Sequence, residues 1–392
     1  MRFLLHLFVV AVVLGASHFS LAQALEPQPE PYKLVRTLQQ AQDRIAQGSQ
    51  VAYDVQRKLL DHIGNKFIKF PDHIWADSKN SEAAAVFALA GGDPQVGKWL
   101  LKNRTLSPKF APILEGAVEF ASRNYGKATE LLNEIEPLKF PGHLGGSLAL
   151  VKAMLVAKTD PKMAATLFAK SRLLVPGTLI EEAALRRSLV LFKSKDDLPK
   201  LVATSNSYYR QFGRSVFGRV FDESLATAIV KFEGAALEMH QEKLVDAVRH
   251  TPVARQKKIY LMLAKSAVLS GKMAFARFSS ANATRVLGTD RQAEARANLY
   301  LAAANVISNE PSQALGALEA IDPKILSVDD KEIMQGATKI AAAVAQWPPA
   351  ERNALSEPPS EAAAGDAGAD DILTRVQPLM TEVDGILEKL KK

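Results

Sequence analysis

Cysteine is absent from the 392-residue chain, which removes disulfide frameworks, Cys-ligated zinc, iron–sulfur clusters and thiol nucleophiles together. Only histidine and carboxylates remain as metal ligands. Close ligand spacing is missing too. Of the five histidines beyond the first segment, His62, His73, His143, His240 and His250, none forms a His-Glu-x-x-His helix or another close pair. Asp61-His62 and Asp72-His73 are sequence neighbours, whose side chains leave a helix on different faces. Serine-hydrolase elbows and phosphate-binding glycine loops are also lacking, because Gly91-Gly92-Asp93 has no Lys-Ser or Lys-Thr after it. The residues point to no cofactor, no metal and no catalytic constellation. After the first segment there is no hydrophobic run long enough to span a bilayer.

What is present is a globular balance, with 47% hydrophobic and 23% charged residues. The length fits two or three domains, or one elongated array. Residues 1–24 read as a secretory signal peptide: Arg2 is the positive n-region, Leu4 to Ala16 the apolar stretch, and Ser20-Leu21-Ala22 or Ala22-Gln23-Ala24 the small residues for cleavage. A retained membrane anchor is the competing reading. The mature chain is then expected near Gln23 or Leu25, in an exported space such as a periplasm, with no membrane insertion after cleavage. The formal net charge is +7, but residues 350–371 hold −5, so the body 23–349 is basic at +10. An exported basic body meets acidic protein surfaces, anionic lipid or wall polymer more readily than nucleic acid, and simple solubility also accounts for it.

Apolar residues recur with the helical period nearly throughout. Leu34, Leu38, Ala41 and Ile45 are spaced 4, 3 and 4, and the series resumes after Gly48 at Ala52, Val55 and Leu59. Two helices joined by a glycine turn fit this. Asp93-Pro94, Asp160-Pro161 and Glu310-Pro311 each place an acidic cap before a proline at the first helical position. Tyr125-Gly126 and Ser270-Gly271 stand at the corresponding turns of other units. After the turn a small residue is followed four positions later by a larger one: Val96 and Leu100, Ala128 and Leu132, Ala164 and Phe168, Ala314 and Leu318. Val96, Ala128 and Ala164 lie 32 and 36 residues apart, and Ala276 and Ala314 lie 38 apart. This spacing predicts an all-α, tetratricopeptide-like α-solenoid of degenerate hairpin repeats over residues 25–349. Leu148 to Pro176 is its best single unit. An irregular helical bundle is the alternative, since the aromatic and glycine positions of the repeat pattern are mostly missing.

Thr178 and Glu181 form a capping box, which predicts a helix from Leu179 to about Lys193. Beyond it, aromatic and basic residues interleave. Tyr208 with Phe212 and Phe217 with Phe221 are i, i+4 pairs, so the rings are expected inward and Arg210, Arg214 and Arg219 in solvent. After Trp347-Pro348-Pro349 the composition becomes that of an acidic disordered linker, 350–371. An amphipathic helix is expected over 372–392, with Ile372, Val376, Leu379, Val383, Ile386 and Leu390 spaced 4, 3, 4, 3 and 4. Docking on the body, another protein or a membrane surface all suit such a helix, and Pro378 starts or kinks it.

Glu223-Ser224 is similar to the catalytic dipeptide of lytic transglycosylases, but the Gly-Leu-Met-Gln type segment those enzymes need downstream is missing. A wider resemblance runs along nearly the whole chain. Leu34-Val-Arg-Thr-Leu-Gln-Gln-Ala-Gln-Asp-Arg-Ile45, Phe70-Pro-Asp-His-Ile-Trp75 and Leu173-Leu-Val-Pro-Gly-Thr-Leu-Ile-Glu-Glu-Ala-Ala-Leu-Arg-Arg187, following an export signal, resemble the MotC motility family of rhizobia and related alphaproteobacteria. The resemblance implies a non-enzymatic periplasmic protein needed for flagellar rotation, associated with the periplasmic part of the stator protein MotB and influencing energy coupling. It carries over no site residues. A basic solenoid holding a stator segment makes Arg186, Arg187, Arg210, Arg214 and Arg219 candidates for the charged contact surface. A general scaffold for envelope assembly is the competing class.

Overall fold

The computed structural model describes residues 29–308 and 311–345, and among these there is no β-strand. The expected signal peptide, linker and C-terminal amphipathic helix lie outside the described residues, as does the cap Glu310.

The first half contains α1 (Pro31–Ala46), α2 (Gln50–Lys69), α3 (Asp72–Ala76), α4 (Ser78–Leu89), α5 (Pro94–Asn103), α6 (Ala111–Ala121), α7 (Tyr125–Asn133), α8 (Gly142–Val156), α9 (Pro161–Leu174) and α10 (Leu179–Ser188). The second contains α11 (Leu198–Phe212), α12 (Gly218–Ile229), α13 (Gly234–Val248), α14 (Val253–Leu269), α15 (Met273–Arg285), α16 (Arg291–Ala303), α17 (Pro311–Glu319) and α18 (Val328–Ala345).

The helix starts follow from local chemistry. Asp93 and Asp160 accept hydrogen bonds from the Gln95 and Met163 amides, each with proline at the first helical position. The Thr178 hydroxyl accepts from the Glu181 amide, but the Glu181 carboxylate reaches one residue further back than in a standard capping box, to the Gly177 amide at 2.7 Å. At the α1–α2 turn Gly48 has φ of 100°, and a Cβ there would collide with the Arg214 carbonyl oxygen. All four small–large pairs are buried, from Val96 and Leu100 to Ala314 and Leu318.

Three local expectations need correction. Tyr125-Gly126 is not a turn but the start of α7, and the bend falls at Arg123, whose φ is 65°. Val55 is 45% exposed, because α2 turns Ala52, Leu60, Ile63, Gly64 and Phe67 inward instead. The helix that starts at Leu179 ends at Ser188 and tightens to a 3₁₀ turn over Leu189–Leu191, short of Lys193.

Packing differs along the chain. Helix α1 packs on α4, α4 on α8, α8 on α10 and α10 back on α1, so four helices close a ring. Their neighbours α2, α5, α6, α7 and α9 pack against this ring or one another. Inner helices accept contacts on several sides because their side chains are small. Helix α4 buries Ala83, Ala84, Ala85 and Ala88, and in α8 a Cβ at Gly146 would strike Val175, while its carbonyl accepts a hydrogen bond from Ser171 Oγ at 2.9 Å. From α11 onward the main partners of each helix are those one or two positions along the chain. The buried apolar residues form one core running from Val35 to Val151, another from Leu185 to Ala341 that also takes in Ala46, and a small one between them made of Ala153, Ala164, Leu167, Phe168 and Ala184.

Candidate functional site

The ring and the stack meet where the α1–α2 turn touches the connection between α11 and α12. The Ile45 carbonyl accepts from the Val216 amide at 3.3 Å, Tyr53 meets Phe217 edge-on, and Asp43 accepts from the Leu179 amide at 3.2 Å. Two buried carboxylates hold this junction from below. Glu182, fully buried, accepts from Tyr208 Oη at 2.7 Å and from both Nε and Nη2 of Arg186 at 3.0 Å. Asp222 accepts from Tyr209 Oη and Arg255 Nε at 3.0 Å, and the other arms of Arg255 reach the carbonyls of Gly213 and Gly218. Tyr208 stacks on Phe221 at 3.6 Å and so ties the two clusters together. Burial raises the pKa of Asp222 in spite of Arg255, and burial with the neighbouring carboxylates pushes both tyrosine hydroxyls up. A third cluster of the same chemistry recurs in the stack, where Asp330 pairs with Tyr300 Oη, Arg296 and Ser327.

The five candidate arginines therefore have different fates. Arg186 belongs to the buried Glu182 cluster, with its guanidinium over the Phe217 ring at 4.9 Å. Arg219 is exposed but paired with Glu223 one helical turn on. Arg210 and Arg214 are exposed without an acidic partner among the described residues, whereas Arg187 has its pKa lowered by partial burial and by the neighbouring Arg186, with the Glu182 charge opposing. Tyr208, Phe212 and Phe221 point inward as expected, whereas Phe217 is half-buried at the edge under Arg186. Glu223, the carboxylate of the transglycosylase-like dipeptide, lies on an open helix face with its side chain 47% exposed.

Among the described residues no cluster of three or more histidines and carboxylates is placed to hold a metal, and no helix is long and apolar enough to cross a membrane. His62, His73 and His250 are exposed.

A concave feature escaped the sequence reading. On the ring, a groove of about 400 Å³ runs between α1 and α4, with His143 of α8 at one end. Helix α1 supplies Tyr32, Arg36, Gln39, Gln40 and Asp43, and α4 supplies Lys79, Glu82, Ala83 and Val86. Burial raises the pKa of Glu82, with the nearby Lys109 ammonium opposing it. His143 Nε2 is buried without a hydrogen bond, 3.8 Å from Asp43. Arg36, Gln40 and Asp43 recur at helical spacing within the stretch that carried the family resemblance, which was the one available signal, and Tyr32 lies two residues before it. That stretch and the Leu173–Arg187 stretch meet at the Asp43–Leu179 hydrogen bond.

The family model described as "Chemotaxis protein MotC" matches residues 1–392. The chain belongs to the MotC family. The chemotaxis protein MotC of Rhizobium meliloti (strain 1021) is 32% identical over 342 residues, covering 85% of this chain and 75% of that protein. No solved structure matches. Membership in MotC, a motility family, supports a part in flagellar motility.

Proposed function

We propose that this MotC-family chain is a periplasmic, non-enzymatic accessory of the flagellar motor. It binds and stabilises the periplasmic part of the stator protein MotB, and through that contact influences energy coupling. Family membership over the whole chain is the observation that carries this reading. The helix pairs, read as degenerate tetratricopeptide-like units, supply a long continuous surface from stacked elements that individually could not bury their apolar faces. No catalytic carboxylate is enclosed at Glu223, and the charge of the body favours an acidic counterpart. The exposed arginines Arg187, Arg210 and Arg214 contribute to that attraction at long range, which acts on the association rate and weakens with salt.

A clean deletion strain tests the role. Assembled but motionless flagella, together with capture of MotB by the tagged periplasmic chain, are the expected result. Normal swimming without stator capture would reject it and leave a general scaffold for the cell envelope.

A further inference from the structure

We infer that the groove between α1 and α4 is the docking site for an extended, acidic peptide segment of the partner. The inference rests on the stator-binding reading and names the surface and chemistry that reading lacks.

The groove carries positive charge that has no answer inside the protein. Both acidic groups of the groove are engaged: Asp43 accepts from the Leu179 amide and faces His143, and Glu82 has Lys109 beside it. Its cations are not. Arg36 and Lys79 are exposed and have no acidic partner among the described residues, although Lys79 lies 5.9 Å from the Tyr32 ring centroid. A carboxylate entering between them meets two unneutralised cations and an aromatic wall. Arg186 and Arg219 differ in that each already holds a carboxylate of its own helix.

The groove also has the length for an extended chain. From Tyr32 to Asp43 the α1 strip advances about 16 Å at about 1.5 Å per residue, which matches about five residues of extended chain at about 3.3 Å each. Its floor is apolar and closed, formed by Val35, Ala83 and Val86 at 3%, 4% and 5% exposure. Along the wall Gln39 and Gln40 have amides without a hydrogen-bond partner among the described residues, and each offers both a donor and an acceptor to a peptide backbone. The polarity of the groove sets the direction. The ligand carboxylate belongs at the Arg36 and Lys79 end, and the Asp43 and His143 end takes a neutral or donor group.

The test uses the mature chain and, as probe, the periplasmic part of the MotB protein from the same organism, titrated calorimetrically at low and moderate salt. Arg36→Glu with Lys79→Glu is expected to weaken binding at least about tenfold and to flatten its salt dependence. Gln39→Ala with Gln40→Ala weakens it by a smaller factor. Arg210→Glu with Arg214→Glu, followed by surface plasmon resonance, slows association at low salt and leaves the dissociation rate unchanged. If the Glu pair unfolds the chain, as read by thermal melting, Arg36→Gln with Lys79→Gln takes its place. Wild-type binding that neither groove pair alters would overturn the groove while leaving the stator reading intact. Absence of wild-type binding would overturn both. Self-association of the chain alone that the groove variants abolish would assign the groove to a second copy and likewise overturn the proposal.

Discussion

The ring of α1, α4, α8 and α10 and the stack of α11 to α18 are built from the same kind of short amphipathic helix, yet they close differently. The ring depends on contacts between residues far apart in sequence, such as Tyr32 with Asn80 and Asp43 with Leu179. In the stack, packing partners lie one or two helices away. A closed arrangement loses its contacts together, whereas a nearest-neighbour array frays from its end. The groove therefore sits on the part of the molecule whose contacts are the least local in sequence. Buried tyrosine–carboxylate–arginine clusters pin the junction and the stack.

The strongest way to break this contrast is at the junction. Arg255→Ala leaves the Asp222 carboxylate buried without its cation and is expected to destabilise by about 3–5 kcal/mol. Urea unfolding followed by two probes, one in α2 and one in α16, should then separate into two transitions; a single transition would show that ring and stack do not uncouple there.

Matched cavities sharpen the contrast. Leu38 and Leu318 are both fully buried, and truncating either to alanine should cost about 2–5 kcal/mol locally. Hydrogen exchange should accelerate across the whole ring in Leu38→Ala but only in α17 and α18 in Leu318→Ala. Equal spreading in the two variants would contradict the difference in closure.

Gly48→Ala should cost about 1–3 kcal/mol, since the residue has positive φ and the Arg214 carbonyl blocks a Cβ. Exchange at α1 and α2 reports the loosening. The opposite sign is expected at Arg123, where glycine relieves a positive φ in the α6–α7 bend, and Arg123→Gly should raise stability by about 1 kcal/mol.

Acid dependence in the connection into the stack is confined to a narrow pH window. Desolvation raises the Asp197 pKa, but hydrogen bonds from Ser194 and from the Lys193 amide outweigh it and lower the value to about 2. A lowered carboxylate pKa gives stability that is present above the unfolded value near 4 and lost as pH falls toward 2. Asp197→Asn should flatten the stability curve in that window alone, measured by urea unfolding at successive pH values.

The helical class, the turn at Gly48, the proline-started helices and the small–large pairs were legible because each depends on a few neighbouring residues. Tyr208, Phe212 and Phe221 were placed inward by spacing alone. Glu182 stands one helical turn before Arg186, so that pair was within reach of spacing; the partner of Arg255, 33 residues away, was not legible, since a helix period says that a residue faces a neighbour but not which carboxylate waits there. Val55 failed for a related reason: α2 has apolar residues on more than one side, and only the position of α1 and α5 selects the buried stripe.

What the sequence determined by itself is therefore local: a chain without cysteine, cut into short capped helices whose apolar stripes need neighbours. Tertiary structure alone decided that α1 returns to α10. It also decided that Glu182, Asp222 and Asp330 are buried with tyrosine and arginine, and that Arg36 and Lys79 face each other's helices across a groove. Those outcomes turn on the direction in which each hairpin leans on the next, which accumulates over ten helices and is encoded in no single one of them.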